Sequence, residues 1–246
     1  IRVIMGNPPY SAGQESANDN NANVAYPHLD ERIRTTYAVN SKATSTKNLM
    51  DSYIRAIRWA SDRIKDCGVI GFVTNAGFVE ANTADGLRKC LVEEFSNLYV
   101  FHLRGNQRTS GERSRKEGGK IFGSGSRAPI AISILVKNPD AKQTGQIHFH
   151  DIGDYLSQAQ KLETIQELGS IKGISEKNAW NMIEPDEFGD WVNQRDPNFE
   201  MYYCMSDLFK IQTGGIKTNR DSWVINYSKT KLLTNCEFMV KNYNEQ

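Results

Sequence analysis

At 246 residues the chain is long enough for one large domain or two small ones, and its net charge of +1 leaves whole-chain electrostatics neutral towards partners. Hydrophobic residues make up 39%, and no apolar run approaches the 18 or so residues of a membrane span. Cys67, Cys90, Cys204 and Cys236 are scattered without a Cys-x-x-Cys pair, as in reduced cysteines of a cytoplasmic protein. The chain opens directly on an apolar segment without a leader, which is the expectation for a fragment or an internal domain.

That first segment, Val3-Ile4-Met5-Gly6, reads as a buried strand and runs into Asn7-Pro8-Pro9-Tyr10. The tetrapeptide is suited to holding the exocyclic amino group of a planar substrate. The Asn7 carboxamide oxygen accepts one N–H. Pro8 has no backbone N–H, and paired prolines keep the chain extended, so the Pro8 carbonyl accepts the second. Two acceptors on one amino group draw its lone pair out of conjugation and make the nitrogen nucleophilic. Tyr10 offers a flat face for stacking. Positioning and oriented dipoles carry such a step without a general base.

Residues 11–45 are polar, with a short helix expected near Leu29–Tyr37; a connection this long beside a gripping strand end reads as a lid, with Tyr26 and His28 its notable residues. Met50, Tyr53, Ile54, Ile57, Ala60 and Ile64 predict a helix over 47–66, capped by Ser45 or Thr46 and ended by Gly68. Strands follow at Val69–Val73, Leu98–Leu103, Pro129–Val136 and Gln146–His150, with a helix at Asp85–Phe95 between the first two. This alternation predicts an open α/β sheet, with ligands beyond the carboxyl ends of its strands. Asn7–Tyr10, Asn75 and the start of a basic segment all fall at such ends. That segment carries Arg104, Arg108, Arg113, Arg115, Lys116, Lys120 and Arg127 against Glu112 and Glu117, and reads as a mobile, glycine-rich loop suited either to phosphate contacts or to solvent alone. His148 and His150 share a face of the last strand and read as a polar strand face; no metal site is expected.

The pattern changes near residue 173, where Trp180, Trp191 and Trp223 appear with short strand-like periodicity. Two domains are therefore expected, 1–172 and 173–246. In the second, Lys217, Asn219 and Arg220 lie in a Gly214–Asp221 turn suited to reading base edges.

Taken together, four stretches resemble the adenine-N6 DNA methyltransferases, in particular the methyltransferase and target-recognition part of large single-chain restriction–modification enzymes. They are Gly6–Ser11, Asp51–Ala60, Gly71–Asn75 with Leu103–Asn106, and Gly214–Trp223. The resemblance implies the C-terminal half of a Rossmann-like, S-adenosylmethionine-dependent sheet, followed by part of an α+β or β-rich target-recognition domain. It implies that Asn7 and Pro8, with Pro9 and Tyr10, hold N6 of an adenine flipped out of double-stranded DNA, and that Phe122 packs against its edge. It further implies that the cofactor half, with its glycine-rich turn, lies before Asn7, so that residues 1–172 form a partial catalytic domain with an unpaired first-strand edge. Upstream methyltransferase, helicase and nuclease regions of one longer polypeptide would complete the enzyme, and this stretch alone would be inactive. Protein glutamine methylation, cytosine-N4 methylation and a non-catalytic DNA-binding module remain open at this point. Product mass separates the first two, and S-adenosylmethionine binding the third.

Overall fold

In the computed structural model of the chain, the described residues are 2–9, 25–123, 127–196, 198, 201–211 and 221–245. They form two compact units, Ile1–Arg195 and Asp196–Gln246.

The first unit is a mixed α/β structure around a six-stranded sheet of order β1-β2-β4-β3-β5-β6. Its strands are β1 (Val3–Gly6), β2 (Gly68–Asn75), β3 (Asn97–Arg104), β4 (Ile130–Lys137), β5 (Gln146–Asp151) and β6 (Asn181–Ile183). β1 runs parallel to β2, and β3 to β5, while β4 lies antiparallel between β2 and β3. The carboxyl ends of β1, β2, β3 and β5 and the start of β4 therefore share one edge.

Alternation along the strands sorts side chains to two faces. Ile70, Phe72, Leu98, Val100, Ala131 and Leu135 enter the larger core, which also takes up residues of α1 (Pro27–Ile33), α2 (Ser52–Ile64) and α4 (Asp85–Glu94). Phe101, Leu103 and Ile130 form a second cluster with Leu168 and Ile174 of α6 (Gln158–Leu168) and α7 (Ile171–Glu176). The short helices α3 (Gly77–Glu80) and α5 (Gly111–Glu117) lie at the strand-end edge.

Local details depart from the sequence reading in physically legible ways. Lys47–Met50 forms a separate turn, and α2 starts at Ser52 because the extended Asp51 accepts from Tyr53 N at 3.4 Å; Asp51 therefore caps the helix in place of Ser45 or Thr46. Gly68 belongs to β2 instead of ending α2. A Cβ there would stand 2.6 Å from the Arg2 carbonyl, so only glycine lets the first two strands approach. Residues 25–45 are packed rather than lid-like: Ile33 and Tyr37 are fully buried, and Asp30 receives the Arg55 guanidinium at 2.7 and 3.0 Å. Tyr26 lies under that guanidinium at 5.6 Å. Among the described residues β1 pairs on one side only, and Val3 and Met5 are 59% and 80% exposed.

The expected boundary at 172/173 falls inside the first unit. β6 pairs with β5, and Trp191 packs edge-on to Phe78 with ring centroids 6.1 Å apart. Arg88 is the deeper tie. It donates to the carbonyls of Phe78 (3.0 Å), Ala81 (2.8 Å) and Gly189 (2.7 Å) and pairs with the Asp190 carboxylate. In the second unit the described residues form helices α8 (Met205–Leu208), α9 (Asp221–Val224) and α10 (Lys229–Asn244), with Trp223 stacked on Phe238. The strand-like periodicity seen in sequence after residue 173 thus yields β6 and otherwise helices among the described residues.

The Arg88–Asp190 pair has side chains only 1% and 3% exposed. Asp190→Ala strands a buried charge and lowers the stability of the first unit by about 3–5 kcal/mol, read by urea unfolding; an unchanged midpoint would show that the pair is dispensable.

Candidate nucleic-acid interface

Asn7, Pro8 and Pro9 follow β1 directly onto the shared strand-end edge, with Asn7 and Pro9 exposed and Pro8 half-buried. Asn75 closes β2 there: its side-chain oxygen accepts Gly77 N at 2.8 Å, while Ala76 N donates to the Pro129 carbonyl at 2.8 Å and fastens this end to the start of β4. Tyr10 lies outside the described residues, as do Lys217, Asn219 and Arg220.

The described residues of the basic segment after β3 fold into turns around α5. Gly105, Gly111 and Gly118 take positive φ of 89°, 61° and 66° at its turns. Glu117 holds its base: the carbonyl accepts Gly105 N (3.1 Å) and the carboxylate accepts Asn106 N (2.9 Å). The fully buried Lys161 donates to the carbonyls of Glu117 (2.7 Å) and Gly119 (2.9 Å). Burial lowers the Lys161 amine to about 8.

The basic side chains divide by what they already hold. Arg104 pairs with Asp151 (2.7 Å) and Asp154. Lys116 stands 3.9 Å from Asp154, Arg115 3.4 Å from Glu112, and Arg127 donates to the Gln107 carbonyl at 2.8 Å. The guanidinium groups of Arg108 and Arg113 make no hydrogen bond or ion pair among the described residues, and both are exposed on the same edge as Asn75. Lys120 is half-buried, and Phe122 is 36% exposed on the turn following α5.

Behind the edge lies a buried ionic cluster for which the sequence reading had no place. His102, on the β3 face shared with Leu98 and Val100, has Nε2 3.0 Å from Glu80 and Nδ1 3.6 Å from Asp151. Neither approach is aligned as a hydrogen bond, so these are close charge contacts rather than directed bonds. Burial disfavours the imidazolium, but the two carboxylates outweigh it and raise His102 to about 9. Asp151 is held well below the usual carboxylate range: burial pushes it up, and His102, Arg104 and the Gly153 N–H more than reverse this. A histidine on the inward face of a strand, with Asp151 at the end of a neighbouring strand, is the signal that could have located this cluster.

Two polar cavities open along the edge. One of about 380 Å³ lies between Asn48 and Asp51 before α2, Asn75, and Asn106, Arg108 and Arg113. The other, of about 520 Å³, lies over His102 and Asp151 and shares Glu80, Arg113 and Asn193 with the first. His148 hydrogen-bonds Asn97 at 3.1 Å and stacks on Tyr99, and His150 contacts the Ala179 carbonyl at 2.7 Å. Among the described residues no group of three or more His, Cys, Asp or Glu side chains is placed to hold a metal ion, and no helix is long and apolar enough to cross a membrane.

Residues 2–108 match the family described as Eco57I restriction-modification methylase, and residues 207–246 match the Type ISP C-terminal specificity domain. Among solved structures, a nuclease-deletion mutant of the Type ISP restriction-modification enzyme LlaGI, in complex with a DNA substrate mimic, is 52% identical over 99% of this chain, with a TM-score of 0.87. The ATP-dependent Type ISP enzyme LlaBIII bound to DNA is 42% identical over the whole chain (TM-score 0.86), and the DrdV–DNA complex 34% identical (TM-score 0.84). The chain spans 23%, 17% and 25% of the lengths of these three relatives. No curated protein matches it.

Because His102 is raised from 6.5 to about 9, its contribution to stability is complete below pH 6.5 and is lost as pH rises through 9. The stability difference between the parent and His102→Gln should shrink by on the order of 3 kcal/mol between pH 6.5 and pH 10. A difference that stays constant over that range, measured by urea unfolding, would mean that His102 is neutral in the fold.

Proposed function

From a chain that belongs to the Eco57I restriction-modification methylases and carries a Type ISP C-terminal specificity segment, we propose site-specific methylation of adenine N6 in double-stranded DNA as part of a restriction–modification polypeptide. The observation that carries this reading is the position of Asn7-Pro8-Pro9 on the strand-end edge that also bears Asn75, Arg108 and Arg113. An amino-gripping motif and uncommitted cations then face the same substrate.

The adenine amino group is paired inside the duplex, so the base is extruded to be reached. Asn7 accepts one N6–H through its carboxamide oxygen and the Pro8 carbonyl accepts the other. Pro8 and Pro9 bring no N–H that would compete for these acceptors. Held this way, the nitrogen presents its lone pair away from the ring plane, and the acceptors stabilise the positive charge that develops on the amino group. Tyr10 stacks on the extruded ring, with Phe122 against its edge. Arg108, Arg113 and Lys120 meet phosphates, with Arg104, Arg115, Lys116 and Arg127 adding positive field. Lys217, Asn219 and Arg220, within the span matched by the specificity domain, read base edges.

S-adenosylmethionine supplies the methyl group in this reading. No described strand-to-helix turn of this chain is the glycine-rich cradle such a donor uses, and no step is assigned here to donor-binding residues. The open apolar edge of β1 supports a donor-binding half of the sheet pairing beside it in a longer polypeptide, as does the 17–25% share that this chain covers of its solved relatives.

In the polypeptide that bears this chain, Asn7→Ala should reduce DNA methylation at least about a hundredfold while DNA affinity is retained. Undiminished methylation would sink the assignment. Product mass then decides the substrate: N6-methyladenine at one sequence supports it, whereas N4-methylcytosine or methylated protein overturns it.

A further inference from the structure

The turn that follows α5 is tied down through its main-chain oxygens. Tyr155 N donates to the Lys116 carbonyl (3.1 Å), Gln107 Nε2 to that of Gly118 (3.1 Å) and Gln158 Nε2 to that of Ile121 (2.7 Å). Lys161 Nζ holds two more, those of Glu117 (2.7 Å) and Gly119 (2.9 Å). In return, Gly119 N donates to the Leu156 carbonyl at 2.9 Å. The two stretches of chain lie so close that a Cβ at Gly118 would run into the Leu156 oxygen, and one at Gly119 into Gln158 N. The start of α6 is itself fixed, because Ser157 and Gln160 form a capping box.

At the centre of this seam sits a fully buried lysine. A buried ammonium is unfavourable unless it is well partnered, and an apolar side chain of similar length would fill the space without a charge. What the charge adds is a pair of strong donors converging on two carbonyls of one turn. Beyond Gly119 the same turn packs Ile121 against the second apolar cluster and then exposes Phe122. We infer that Lys161 is a positioning residue: by holding the Glu117 and Gly119 carbonyls it sets where Phe122 stands against the extruded base. This rests on the DNA-methylating reading, in which Phe122 meets the base edge. Being fully buried, Lys161 reaches the DNA only through the turn.

Lys161→Met keeps an unbranched side chain and removes the donors. In the longer polypeptide that carries this chain, amide hydrogen exchange over residues 117–122 should accelerate about tenfold, with exchange in β2 and β3 unchanged. Methylation at saturating DNA should fall about ten- to a hundredfold, with DNA affinity retained. Both effects on methylation should merge in a double-mutant cycle: Lys161→Met should cost little more once Phe122 is alanine. A lysine needed only for stability would cost the same in both backgrounds. Gln158→Ala, at an exposed position, removes only the bond to the Ile121 carbonyl. It should couple to Phe122→Ala in the same sense with a smaller effect, and it carries the test if Lys161→Met does not fold. Unchanged exchange over 117–122, additive losses in the cycle, or parent-like methylation by Phe122→Ala would each overturn the proposal. Failure of the methylation reading shows separately, as no modified adenine with the parent protein, and the exchange measurement still decides whether Lys161 holds the turn.

Discussion

Charge placed behind the strand-end edge has to be neutralised within the protein, and this requirement organises the rest of the first unit. His102 sits between Glu80 and Asp151, Arg104 closes on Asp151 and Asp154, and Lys161 secures the carbonyls beneath the basic segment. An uncompensated carboxylate at that depth would demand several kcal/mol. The cluster and Lys161 therefore fix the end of β3 and the end of α5 relative to each other. Arg104 is held by these acids, whereas Arg108 and Arg113 form no ion pair among the described residues and remain exposed on the edge.

The direction of β4 does the complementary work. Because it returns antiparallel between β2 and β3, the Asn75 end of one parallel strand and the Arg104 end of another stand one strand apart, with Pro129 between them. A parallel insertion would have sent the basic segment across the opposite edge. Sheet order and strand direction thus place Asn75, Asn106, Arg108 and Arg113 around one cavity, although they are drawn from different connections.

Much of the fold was legible because it rests on local pattern. The apolar runs that became β2 to β5 and the 3.6-residue spacing of α2 and α4 carry their own signal, and Asn7-Pro8-Pro9 stands out at the end of β1 by residue type alone. What stayed hidden is non-local. Asp51 could not be preferred over Ser45 or Thr46 as a cap without knowing where the extended turn falls. Glycines in the basic segment read as mobility, whereas Lys161, 44 residues along the chain from Glu117, donates to its carbonyl and ties the base of that segment. Trp191 looked like the start of a new domain because Arg88 and Asp190, a hundred residues apart in sequence, meet only in the fold. That Arg104 is paired while Arg108 is not likewise depends on acids supplied by β5 and the turn after it.

β1 is four residues long and, among the described residues, hydrogen-bonded on one flank, and Gly68 is what lets that ladder close. Short strands with one partner are the first parts of a sheet to open. The placement of Asn7 and Pro8 therefore depends on the ladder between β1 and β2. Anything that loosens that one ladder, a side chain at position 68 first among them, would shift the Asn-Pro-Pro segment away from the edge that bears Asn75.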